Sequence, residues 1–248
     1  TKADDGDDPS SSEPPVVVPF VQYSGSYTSV APTDEYTEPF TTNVTVGLDI
    51  EYNIVALEVV DGSTPGFGGY TNKADQFVEY YTSISVADFL ALPVITEANA
   101  GTTKPAEDDI PQAVVGLWYS SVAIYQAMAD AFDGIEVYQG AHTSAMCEPS
   151  EYCEYEPEQL AVDVYVKDGV ILTLGLGDEG QSTASFANRW GEAFEDVLAV
   201  YQDLEVATLI TMSEPVELYG VESAAAGVTY SGDRLFFAVL NALEGYGA

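Results

Sequence analysis

The stretch Leu160-Ala161-Val162-Asp163-Val164-Tyr165-Val166-Lys167-Asp168-Gly169-Val170-Ile171-Leu172-Thr173-Leu174-Gly175-Leu176 sets two apolar-rich runs on either side of one Asp-Gly pair. Asp-Gly tolerates the positive φ angles of the tight turns whose twist matches that of paired strands. Residues 160–167 and 170–176 are therefore expected to form a β-hairpin, the strongest such signal in the chain.

Helical grammar surrounds this hairpin. From Gln112 to Phe132, the residues Val115, Trp118, Val122, Tyr125 and Ala129 recur at three- and four-residue steps, which predicts an amphipathic helix that ends at Asp133-Gly134. A second helix is expected over Ser182–Tyr201, on Phe186, Trp190, Phe194, Val197, Leu198 and Tyr201, and a third over Asp233–Leu243. Between them, Glu205–Met212 and Val216–Tyr219 read as strands interrupted at Pro215.

Upstream, β-branched and aromatic residues dominate 16–30 and 40–60, with turn residues at Pro32-Thr33-Asp34-Glu35, so both stretches read as strands. Apolar residues alternate with small or acidic ones from Val44 to Tyr52, which predicts one wet face. The glycine-rich stretch Asp61–Tyr70 is a loop, and Asp75–Leu92 is a short helix or irregular. The resulting class is α+β: a β-rich N-terminal part followed by an antiparallel sheet covered by about three helices. The expected division is an acidic flexible tail or assembly arm at 1–15, a β-rich part at 16–96, a connecting loop at 97–111 and an α+β part at 112–248. No internal repeat of fixed period is visible.

The chain has 248 residues, with 41 Asp plus Glu against 6 Lys plus Arg and a formal charge of -35. Its hydrophobic content of 46% is too high for a disordered acidic chain, so it folds. Self-repulsion on a compact body of this charge is relieved by concentrated salt, where the Debye length falls to about 3 Å at 1 M. The composition resembles that of haloarchaeal proteins, a resemblance that names a habitat and not a family. Six scattered basic residues assemble no basic stripe, so phosphate backbones and anionic membrane surfaces are poor partners. The longest charge-free stretch, Ile110–Ala129, contains Pro111, Gln112, Ser120, Ser121 and Gln126 and reads as a core helix, not a membrane span. The sequence starts at Thr1 without a leader-type apolar region, which fits either a removed signal or loss of a methionine alone.

Candidate chemistry is sparse. The lone histidine, His142, cannot by itself start a catalytic triad, and neither Gly-x-Ser-x-Gly nor a P-loop is present. Cys147 and Cys153 are separated by five residues, and three readings fit them: a small disulfide loop, two buried thiols, or a weak metal site with His142. Glu148, Glu151 and Glu154 disfavour a nearby thiolate, which argues against a nucleophile. Arg189 and Arg234 lie in predicted helices within reach of carboxylates, as ion pairs or as anion-binding groups. Asn43-Val44-Thr45 is an N-glycosylation acceptor triplet of a kind that chance often produces. Tyr23, Tyr27, Phe67 and Tyr70 are candidate interface aromatics.

These readings point to a non-enzymatic structural or assembly protein of a halophilic system, such as a virion or cell-surface component acting through protein–protein contacts in high salt. It would be extracellular or virion-borne, with the cytoplasm left open. No catalytic residue and no cofactor is assigned, and only loosely bound cations are expected. The alternative is a secreted halophilic enzyme or small-ligand binding protein, metal dependent in one form.

Overall fold

The computed structural model describes residues 20–28, 41–61, 74–96, 118–144, 158–177, 195–219 and 229–247. The expected tail at 1–15, the connecting loop at 97–111, Phe67, Tyr70, Arg189, Cys147 and Cys153 lie outside them. The fold is α+β, with two antiparallel three-stranded sheets, β1 (Val21–Thr28), β2 (Thr41–Leu48) and β3 (Ile54–Asp61), then β4 (Ile135–Ser144), β5 (Glu158–Lys167) and β6 (Val170–Leu176), each in sequential order. Helices α1 (Ala74–Tyr81), α2 (Val86–Ala91) and α3 (Trp118–Ala131) follow the first sheet. Helices α4 (Glu195–Tyr201), α5 (Val206–Leu209), α6 (Pro215–Tyr219) and α7 (Thr229–Leu243) follow the second.

The two halves are copies of one plan. In each, the long last helix packs on the first two strands, α3 on β1 and β2 and α7 on β4 and β5. A glycine permits the close approach in both: a Cβ on Gly25 would lie 2.9 Å from Ala131 Cα, and one on Gly140 would lie 2.6 Å from Ala242 Cα. Gly25 stands opposite Val44 and Gly140 opposite Val162. Each sheet carries one register shift in the same place, between Gly47 and Leu48 and between Tyr165 and Val166. The hairpin ends correspond as well, since Tyr52 (φ 62°) and Gly169 (φ 79°) each accept a backbone bond from the first residue of a short helix, Val86 and Val206. Ile54 and Ile171 donate to Ile84 and Leu204 in the same manner. Even the treatment of the sheet edge is shared: Ser26 N–H donates to Asp130 on α3, and Ala141 C=O accepts from Asn241 on α7. Such side chains cover strand edges that would otherwise pair with another chain.

Each half has its own core. Val44, Val46, Leu48, Phe77, Tyr81, Phe89 and Phe132 centre the first, and Val162, Val164, Val166, Leu198, Tyr201, Phe236 and Val239 the second. Burying a side chain of this size contributes about 1.5–3 kcal/mol, so each half holds a substantial core of its own.

Several expectations are corrected. The segments read as strands at 205–212 and 216–219 are the short helices α5 and α6. Val206 and Leu209 are both fully buried, and a three-residue spacing puts them on one helical face but on opposite faces of a strand. Pro215 opens α6, where its missing N–H has no partner to lose. The region 75–92 resolves into α1 and α2, the latter begun by a capping box in which the Ser85 hydroxyl accepts from Asp88 N–H and the Asp88 carboxylate from Ser85 N–H. Strand β4 was not anticipated. Helix α3, expected to belong to a C-terminal part, packs on β1 and β2. The absence of a fixed period gives way to a structural repeat whose spacing varies along the chain.

Candidate functional site

The contact between the halves is built from the back of the second sheet, the face turned away from α7. Register places Val137, Gln139, Asp163, Tyr165, Thr173 and Gly175 there. The β2–β3 turn and the start of α2 cover it. The Tyr165 ring lies 5.0 Å from that of Tyr52, and the fully buried Thr173 hydroxyl donates to Ile50 C=O at 2.7 Å. Burial pushes the Tyr165 phenol above its ordinary value, while Ser85 and Ala87 hydrogen-bond its oxygen. Lys167 Nζ donates to Asp133 C=O at 2.7 Å. The turn itself is organised by Asp49, whose carboxylate accepts from Glu51 N–H, Asn53 N–H and the Asn53 amide. That arrangement holds Tyr52 in the left-handed region, a cost for a non-glycine residue that its ring contacts offset.

The equivalent face of the first sheet has no such cover among the described residues. It carries Gln22, Ser24, Ser26, Asn43, Thr45 and Ala56, with Val60 50% exposed at one corner and Glu58 as its one carboxylate, and Phe20, 56% exposed, precedes β1 at the opposite end of the sheet. The acceptor residue of the glycosylation triplet, Asn43, is exposed on this face.

Of the other sequence-derived candidates, Tyr23 and Tyr27 sit on the opposite, core-facing side of β1. Tyr23 is half-buried, pairs its hydroxyl with that of Tyr52 at 2.7 Å and meets the Phe132 ring edge-on, so its ring is engaged in contacts within the chain. His142 lies on β4 with its ring 5.2 Å from Phe237 of α7. Burial, and after it the charge of Arg234, lower its pKa. Among the described residues no group of three His, Cys, Asp or Glu side chains could hold a metal ion.

A polar cluster that sequence reading missed lies where α4, α6 and α7 meet. Tyr201 and Tyr219 share a hydrogen bond of 2.8 Å, and Tyr219 donates onward to Gly232 C=O at 3.1 Å. Burial pushes both phenols up, with the Asp233 charge adding to the effect, so they remain neutral donors and not nucleophiles. Arg234 is 2% exposed at the same helix start. Its rarity in this chain was a signal of special placement; the tyrosines, among 17 of their kind, gave none.

Comparison with protein-family models, with curated proteins and with solved structures finds no match for this chain.

Proposed function

We propose that this protein is a non-enzymatic structural or assembly component of a halophilic system, of virion or cell-surface type, acting through protein–protein contacts in concentrated salt. The observation that carries this reading is the exposed back face of the first sheet, with its single carboxylate, in a chain of charge -35. Elsewhere the exposed positions hold groups such as Asp88, Asp130, Glu136, Asp168, Asp203 and Glu217. Charge depletion marks the centres of protein interfaces. The same face in the other half supports the reading, because within this chain it is already a docking surface. Salt screens the repulsion between bodies of this charge and thereby permits contact. The cations around the carboxylates are loosely held, not cofactors.

Small-angle X-ray scattering over a concentration series in brine tests this. Forward scattering per unit mass rises with concentration if the protein associates, and a constant monomer value at every concentration contradicts the proposal.

A second reading, a secreted halophilic enzyme or small-ligand binding protein, draws on Gln202 Nε2 and Asp233 Oδ1, which are buried without a hydrogen-bond partner among the described residues. Calorimetric titration with divalent cations and small polar ligands checks it, and heat that disappears in Asp233→Ala supports it.

A further inference from the structure

The internal repeat says which surface of this protein meets a second copy, and how; this inference rests on the assembly reading above. Two modes are available to the open back face of the first sheet. In the first, the hairpin end of the second half of another copy would dock there, continuing the internal contact head to tail, and a heterologous contact of that kind extends without limit unless its rotation closes a ring. In the second, the same face of another copy would dock, which closes at two.

The residues decide between them. The internal contact is anchored by the Tyr52–Tyr165 pair. By register, the position of Tyr165, opposite Val137 and Thr173, is held in the first sheet by Gly47, opposite Gln22 and Ala56. The position of Tyr52, which accepts from Val86, is held in the second half by Gly169, which accepts from Val206. Both surfaces that would meet head to tail have lost their aromatic anchor. Aromatic anchors of this kind dominate contact energies, so the array ends after two repeats. Exposed Asp168 at that hairpin end would also approach Glu58.

Face-to-face pairing meets neither obstacle. Ser24, Ser26, Asn43 and Thr45 both donate and accept hydrogen bonds, so a two-fold copy of the face satisfies itself. Of the exposed apolar groups, register places Val60 on this face, at one end of β3, while Phe20 precedes β1 at the opposite end of the sheet. Glu58 alone repels its own copy.

The geometry points to an isologous dimer in which the back faces of two first sheets stack on one another. Three strands about 4.8 Å apart and eight residues long bury on the order of 400 Å² of each copy. That lies at the small end for specific interfaces, so the dimer is transient and forms in concentrated salt, where the Glu58 repulsion is screened.

Sedimentation equilibrium of the full chain in brine tests this with three variants, each checked for native circular dichroism. Asn43→Asp keeps the shape and adds a like charge to the contact face, between Ser26 and Val60, Glu58→Gln removes the repulsion, and Ala207→Asp charges the exposed helix at the hairpin end of the second half. The dimer predicts dissociation weakened by Glu58→Gln, at least ~10-fold looser association in Asn43→Asp, and no effect of Ala207→Asp. Association that Asn43→Asp leaves unchanged, or growth beyond two that Ala207→Asp abolishes, overturns the two-fold contact while leaving the assembly reading intact. A monomer at every concentration in brine overturns both.

Discussion

Replacing Gly140 by alanine, and separately Gly25 by alanine, perturbs the one feature that both halves must share. A methyl group at Gly140 lands 2.6 Å from Ala242 Cα, and at Gly25 it lands 2.9 Å from Ala131 Cα, inside the separations that real Cβ atoms adopt. What it meets in each case is helix backbone, which cannot rotate away as a side chain would. The whole of α7 or α3 must move off its sheet, loosening contacts to Val162 and Val164 or to Val44 and Val46. Overpacking of this kind costs typically about 1–3 kcal/mol. In a chain of this size each kcal/mol lowers the melting temperature by roughly 2–4 °C. Thermal unfolding followed by circular dichroism at one fixed high salt concentration measures both variants, with Ser24→Ala and Thr143→Ala as exposed residues on the same strands that stay within about 0.5 kcal/mol of the parent. The reasoning predicts comparable losses for the two glycine variants. A glycine variant as stable as its serine or threonine control refutes the close helix–strand approach in that half, and with it the equivalence of the two.

Thr173→Val keeps the shape of a fully buried side chain but removes the donor to Ile50 C=O, leaving that carbonyl without its 2.7 Å bond. Urea unfolding at constant salt is expected to show a loss of about 1–3 kcal/mol, and a neutral result contradicts the contact between the halves. His142 is the chain's single histidine, so its proton resonances report one site. Burial, and then the charge of Arg234, lower its pKa below the ordinary imidazole value of about 6.5, so the unfolded chain takes up the proton first. Its contribution to stability is therefore complete above about 6.5 and is lost as pH falls through the folded value. A nuclear magnetic resonance titration midpoint at or above 6.5 contradicts the packing on Phe237.

The second hairpin was legible because Asp168-Gly169 announces it locally, and the structure pairs Lys167 with Val170 across that turn. Its counterpart in the first half was not, because Tyr52 takes the same positive-φ conformation through Asp49 and through ring contacts that only the fold supplies. Strand β4 hid for a related reason. Ile135 and Val137 face the first half while Tyr138 packs on α7 side, so burial on both faces blurs the alternation that marks a strand with one wet side. The repeat itself escaped notice because its spacing drifts. Gly25 and Gly140 are 115 residues apart, Val44 and Val162 are 118, Ile54 and Ile171 are 117, Tyr81 and Tyr201 are 120, and Ala131 and Ala242 are 111. Connections of different length between matched elements defeat any fixed period, while hydrogen bonds and register preserve the match. The candidate contact face was half legible: the alternation from Val44 to Tyr52 predicted a wet face, but only pairing shows which residues of β1 and β3 complete it.

Absolute mass by light scattering after size exclusion, run in roughly 3 M and in roughly 0.15 M salt, where screening lengths differ several-fold, tests the assembly claim most directly. The account predicts a mass above that of the 26.5 kDa chain in the concentrated salt, falling toward the single chain in the dilute one. A mass of one chain in both, at the highest concentration that stays soluble, contradicts it.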